Sequence, residues 1–305
     1  MLVTWLGHAQ LFINAANRSL LIDPWFAEPI FKGRWFRYPP PPYPNASTVQ
    51  RPDFLLLSDA RLDHSAPETL DQLPKDLPTF ALRVPSSALQ SRLDLAGFSN
   101  VRWVAGWETF ELSPGLKVTF VPHDQGQSLA ATVIEAEGVR LVHGNFCSLS
   151  VAGYREVVER LGKIDLAFLP SSSASIDPTD FATLEPSGAT KKAEGIQQFL
   201  AAIEGLQPAE AAPFASGWAL LDPAELCRNF LDRPTPEETL KAAMPIAGTH
   251  GTHLLHLEPG DEWTQPTGVI RKGLTAGWGY DAKSIERYAT TRPAAKGRAS
   301  PATPR

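Results

Sequence analysis

The chain is poor in cysteine, with only Cys147 and Cys227 among its 305 residues. Two thiols so far apart make neither a disulfide framework nor a cysteine cage for a metal, and they fit a reducing, cytoplasmic compartment. No apolar run reaches the roughly 18 residues that a membrane span requires. The opening MLVTWLGHAQLFINAANRSLLID lacks both the basic stretch and the continuous apolar core of a secretion signal. Neither sign of charge dominates: a formal net charge of -5 argues against nucleic acid or an anionic membrane as the main partner. There is no G-x-S-x-G elbow, no G-x-x-x-x-G-K-[ST] phosphate loop and no G-x-G-x-x-G after a strand, so serine hydrolase, nucleotide triphosphatase and dinucleotide oxidoreductase chemistry all recede.

What is present is the make-up of an ordinary soluble domain, 43% hydrophobic and 20% charged. A length of 305 residues suits one large layered α/β domain over residues 1–289. Residues 290–305 (TTRPAAKGRASPATPR) carry four basic residues, no acid and no large apolar residue, which is the composition of a disordered tail. No internal repeat is visible.

Alternating apolar residues from Leu2 to Ile22, broken by turn residues Asn14 to Ser19, predict a β-hairpin or meander that ends at Asp23-Pro24. Residues 25–50 are rich in aromatics and proline (RWFRYPPPPYP). They exclude a regular helix or central strand and predict a long ordered loop, its aromatics pinned to the body beside a pocket. Short strands follow at 53–57, 79–83, 101–104, 109–112, 117–121, 131–135, 140–142 and 166–169. Helices are expected from Pro67, over 151–162 and over 191–204, the last with Ile196, Phe199, Leu200 and Ile203 on one face. A strand-rich region recurs near 252–272. The pattern predicts two packed sheets covered by helices.

The stretch that carries chemistry is LLLSDARLDHS, residues 55–65. It is a buried strand running into a loop that sets Asp59, Arg61, Asp63 and His64 side by side. Together with TWLGHAQLFI…LLIDPWF, VTFVPHDQG and VRLVHGNF, it resembles the metallo-β-lactamase superfamily over most of residues 1–285. The later PFASGWALLDPAELCRNF and LLHLEPGDEW are similar to the branch that contains sialic-acid hydroxylases. The resemblance implies a four-layer αββα sandwich of two mixed β-sheets flanked by helices. It also implies a metal loop of the form Ser-His-x-His-x-Asp-His, in which two histidines serve one metal and the Asp-His pair a second.

This chain departs from that pattern. The two leading histidines are Asp59 and Arg61, and the bridging aspartate after the later Gly is Asn145. Arg61 stays protonated and repels a cation; Asn145 is a neutral, poorer ligand. The first metal site is therefore lost. The resemblance leaves one divalent metal (Zn, Mn or Fe) possible on Asp63 and His64, with His123, Asn145 and Asp222 as further candidates.

Three readings stand beside one another. The first is a hydrolase with at most one metal, acting on an ester, amide or phosphodiester of a small molecule, with Asp59 as general base and Arg61 stabilising transition-state charge. The second is a metal-free pseudoenzyme or ligand-binding scaffold, in which Arg61 takes the place of the metal and holds a small, possibly anionic ligand. The third is an oxygenase resembling the sialic-acid hydroxylases, fed by a separate electron donor.

His8 reads as a structural histidine bonded to backbone beside the pocket, Asp23 as an acceptor that orders the metal loop, and His143 as either support or core. Cys147 reads as a buried, inert thiol, and Ser171 to Ser175 as a polar loop. His250, His253 and His256 share the segment THGTHLLHL. Gly248 and Gly251 there predict a loop and then a strand, with His250 or His253 as an outside candidate for the cleft.

Overall fold

The computed structural model describes residues 1–84, 88–124, 129–172 and 188–292. Apolar alternation places β1 (Leu2–Gly7), β2 (Gln10–Ala15) and β3 (Arg18–Ile22) as an antiparallel meander. Then come β4 (Trp35–Arg37), β5 (Phe54–Leu57), α1 (Leu62–Ser65), α2 (Pro67–Leu70), β6 (Thr79–Leu82), α3 (Ala88–Leu95) and β7 (Val101–Val104). The middle of the chain supplies β8 (Thr109–Ser113), β9 (Leu116–Pro122), β10 (Ala130–Ala136), β11 (Val139–His143), α4 (Val151–Leu161) and β12 (Leu166–Pro170). The remainder is α5 (Gly188–Leu206), β13 (Glu210–Phe214), β14 (Trp218–Leu220), α6 (Pro236–His250), β15 (His253–Leu254), β16 (Glu262–Thr264), β17 (Gly268–Ile270) and α7 (Ala282–Thr291).

Two large sheets result. One has the order β17-β16-β1-β2-β3-β5-β6-β7 and the other β15-β13-β12-β11-β10-β9-β8. Each is half antiparallel and half parallel: pairing turns parallel from β3 to β5 onward in the first and from β11 to β12 onward in the second. Period-2 alternation decides which side chains meet. Leu20, Ile22 and Leu56 face Phe120, Ile134, Leu141, Leu166 and Phe168 in the core between the sheets. Leu21, Leu55 and Leu57 point the other way, onto Leu70, Leu89 and Leu93 of the helical cover. Across the second sheet Ala131, Val133, Ala167 and Leu169 pack on Tyr154, Val157, Phe199 and Ile203 of α4 and α5. Two mixed sheets with helices outside each make the expected αββα sandwich.

Residues 25–50 mostly follow the expected loop, with Trp25, Phe26, Trp35 and Tyr38 buried. Their one strand, β4, pairs only with β14 in a separate two-stranded ribbon, where proline-rich neighbours interrupt no central ladder. The helix α6 differs from the expectation for THGTHLLHL. Gly248 lies inside it and the chain leaves it at Gly251, whose φ of 69° is the left-handed geometry that suits glycine. The last helix runs to Thr291, and the expected tail lies outside the described residues from 293 on. Among the described residues no helix is long and apolar enough to cross a membrane.

Candidate metal centre

Strand ends bring the site together. β5 delivers Ser58 and the loop into α1, β3 ends one residue before Asp23, and β11 ends just before Gly144-Asn145. The Asp23 amide donates to the Leu56 carbonyl at 3.0 Å, which fixes those two parallel strand ends side by side. His8 occupies the β1–β2 connection in a left-handed conformation, φ 49°, after Gly7 at φ 112°. Gly217 allows this connection to sit where it does: a Cβ there would lie 2.9 Å from the His8 amide nitrogen and 3.0 Å from the Tyr38 carbonyl oxygen.

The polar groups form one chain of contacts. Asn145 Nδ2 donates to Ser58 Oγ at 2.7 Å, and Ser58 Oγ donates in turn to Asp23. The Ser58 amide donates to Asp23 Oδ1 at 2.8 Å. His64 Nδ1 lies 3.1 Å from Asp23 Oδ2, off the line of a well-aligned hydrogen bond, so this contact is chiefly electrostatic. On its other side His64 Nε2 lies 3.3 Å from Asp63 Oδ2, and that same oxygen is 3.0 Å from His8 Nε2. His143 Nε2 bonds the Ala9 carbonyl at 2.8 Å and so carries its proton there. All of these side chains are buried.

Charge follows from these contacts. Burial works against a charge on His64, but Asp63 and Asp23 outweigh it and push its pKa up to about 10. Burial dominates at His8, whose pKa falls to about 4 despite the bond to Asp63, so His8 is neutral at pH 7. Burial alone would raise Asp63, yet His64 and Arg61 together hold it well below the usual carboxylate range.

Arg61 closes the group on its outer side. Its Nε donates to Asp59 Oδ2 at 2.6 Å and its amide to Asp59 Oδ1 at 3.0 Å. Its guanidinium lies 4.0 Å over the Phe146 ring, and Nη2 comes within 3.3 Å of His64 Nε2. Arg92 braces the loop from behind through the Ala60 carbonyl and Ser65. Trp25 sets its ring edge-on to His8 at 5.1 Å. Of the 25–50 loop, Trp25 is packed beside the site, in one cluster with Trp35, Ala66 and Leu62, while Phe26 and Tyr38 pack in two other clusters.

His8, Asp63 and His64 each offer a ligand atom, all within 4.8 Å of one another. Asp63 Oδ2 lies 3.0 Å from His8 Nε2 and 3.3 Å from His64 Nε2, separations open to ligands of one ion with bonds of about 2.0–2.2 Å. Asp23 stands behind His64, 3.1 Å from its Nδ1, as a carboxylate that orients a metal-binding imidazole does. The donor set fits a single borderline ion such as Zn, Mn or Fe.

The other candidates lie elsewhere. His123 is buried just past β9 with Nδ1 3.8 Å from Asp124 Oδ1, and it is not one of the three converging donors. Asn145 acts through Ser58. Asp222 is exposed and caps a turn by accepting from the Ala224 amide at 2.9 Å, and it is not one of the three converging donors. His253 is exposed on Glu210, and His256 faces Glu258 and Glu237. His250 ends α6. Cys147 is fully buried, and burial pushes its thiol far up. Ser171 and Ser172 bond the carbonyls of Phe214 and Ala215; Ser173 to Ser175 lie outside the described residues.

His8 is the residue that sequence reasoning misassigned: it bonds the Asp63 carboxylate, not backbone. The signal was Gly7-His8 at a strand end, a turn that aims a side chain across the sheet.

Known proteins share this frame. The diiron β-hydroxylase CmlA of Streptomyces venezuelae superposes with a TM-score of 0.56 at 18% identity, over 88% of this chain and 54% of that one. The metallo hydrolase Igni18 of Ignicoccus hospitalis gives 0.55 at 16%, over 86% and 96%. At such identities the likeness concerns the fold. A cytidine monophosphate-N-acetylneuraminic acid hydroxylase of Danio rerio is 27% identical over 86 residues, 28% of this chain and 15% of the relative. The chain thus spans about half of CmlA, and the matched segment a small part of the curated relative. The beta-lactamase superfamily domain matches residues 18–214, well over half of the sequence, and the chain belongs to the beta-lactamase superfamily.

Proposed function

We propose that the protein is a hydrolase with a single divalent ion, held by His8 Nε2, Asp63 Oδ2 and His64 Nε2, that cleaves an ester, amide or phosphodiester bond of a small molecule. The observation that carries this reading is the convergence of three buried donors within 4.8 Å, with Asp23 3.1 Å behind one of them. An ion bound there supplies Lewis acidity to the scissile group and lowers the pKa of water. The chain's own residues do the rest. Asp23, gripped by Ser58 through both amide and hydroxyl, orients His64 so that Nε2 faces Asp63 Oδ2. Phe146 and Trp25 line the donors with apolar surface, which excludes water and strengthens electrostatics. Asp59 has both oxygens engaged by Arg61, so its part is to hold that guanidinium, and Arg61 is the cation placed to meet negative charge at the mouth.

Fold alone does not choose the chemistry, since a hydrolase and a diiron hydroxylase share it. One observation favours the metal-free reading: Arg61 Nη2 stands 3.3 Å from the nitrogen an ion would use. Equilibrium dialysis against Zn(II) separates the two. Wild-type protein and His123→Ala are expected to bind one ion, and His8→Ala to lose at least about 10-fold in affinity. Undiminished binding by His8→Ala, or none by the wild type, overturns the assignment.

A further inference from the structure

Every donor in the centre is sealed: His8, Asp23, Asp63, His64 and Asn145 are each at most 1% exposed, and Asp59 is 5% exposed. Arg61 is different, its side chain 29% exposed. It is the polar member of the described network that reaches solvent, and it lies across the one nitrogen, His64 Nε2, that completes the three-donor set.

The guanidinium is held as a latch is held. Asp59 grips Nε at 2.6 Å and the backbone amide of the same residue at 3.0 Å. Phe146 supplies a flat bed 4.0 Å beneath. Among the described residues Nη1 makes no hydrogen bond, the contacts of the side chain being those of Nε and Nη2. With Arg61 Nη2 3.3 Å from His64 Nε2, an ion on that nitrogen would lie within a few ångströms of the guanidinium, and in a poorly screened interior the two repel strongly. Asp59 contacts the guanidinium directly while Asp63 and Asp23 flank His64 beside it, and such a cluster demands positive partners.

Building on the single-ion reading, we propose that Arg61 is a built-in competitor and gate for the ion. It satisfies the carboxylates while the centre is closed and must swing outward, off Phe146 and His64, before a divalent cation reaches Asp63 and His64. The arginine that replaces a family histidine thus sets the rate and affinity of ion uptake.

Stopped-flow uptake of Co(II), followed by its visible absorption in protein stripped of metal, tests this without reference to turnover. Arg61→Gln removes the competing charge, and both its association rate and its affinity are expected to rise at least about 10-fold. Asp59→Asn loosens the latch while keeping the cation, and is expected to speed uptake by a smaller factor. It also keeps the test decisive should Arg61→Gln fold poorly. Uptake by both variants at the wild-type rate, or slower, overturns the gate while leaving the ion site standing. No uptake by the folded wild type or either variant removes the ion site and the gate together.

Discussion

His64 is flanked by Asp23 at 3.1 Å and Asp63 at 3.3 Å, while His8, 3.0 Å from the same Asp63, stays neutral. Two imidazoles on one carboxylate thus have opposite character, because only His64 has a second carboxylate behind it. Asp23 is the residue on which this depends. It takes the Ser58 amide, the Ser58 hydroxyl and the His64 ring. Asp23→Asn removes the charge that balances a buried imidazolium, and it is expected to lower the stability of the metal-free protein by about 3 kcal/mol. Urea denaturation at pH 7 in chelator measures that loss, and an unchanged midpoint would contradict the role. The residue types at the site were legible in the sequence: Asp63 and His64 form the motif's Asp-His pair, and Asp23 reads as the acceptor that orders the loop. Which partner each would take was not. His8 and Asp63 are 55 positions apart, and only the turn at Gly7, made possible by Gly217 behind it, brings them together.

Among the elements, strands read most easily, because β3, β5, β10 and β12 alternate between two buried faces and are bounded by turn residues. The helix α6 was missed. Pro245 and Gly248 inside it argue against a helix, yet the sequence Thr235-Pro236-Glu237-Glu238 is a complete start signal. The structure shows both halves of that box: the Glu238 amide donates to Thr235 Oγ1 at 3.2 Å, and the Thr235 amide to Glu238 Oε2 at 2.8 Å. Thr235→Ala is expected to cost about 1 kcal/mol, readable as a lower thermal midpoint by circular dichroism. No change would mean that packing of α6 on α5 alone holds the helix. The strand between Leu206 and Leu220 was not among those expected, for another reason. β13 (EAAPF) is short and alanine-rich, and its burial comes from tertiary neighbours in the sheet rather than from a strong β-forming sequence.

At the scale of the whole molecule, the first and last parts of the chain are joined. β16 pairs with β1, and the Gly260-Asp261 turn exchanges backbone bonds with Trp5. Beside that seam sits Glu258. Burial, then Asp261 and Glu237, raise its pKa from 4.5 to about 7, against the Thr275 hydroxyl bond and Arg271 that lower it. The folded state therefore holds this proton more tightly than the unfolded chain. Its contribution to stability is fully present below about pH 4.5 and is lost as pH rises through 7. Glu258→Gln keeps the group neutral, so the variant is expected to melt higher than the wild type at pH 8, with the gap closing toward pH 4.5. Equal melting temperatures at pH 8 would contradict it.

The proposed centre is one ion on His8, Asp63 and His64, in a sandwich whose superfamily loop is altered at Asp59, Arg61 and Asn145. Elemental mass spectrometry of untagged protein tests it most directly. The protein should be purified without chelator from cultures supplemented with Zn, Mn and Fe, with His64→Ala alongside. About one equivalent of one metal per chain is expected, lost in the variant. Less than about a tenth of an equivalent from every culture would contradict it, leaving Arg61 as the permanent occupant of the centre.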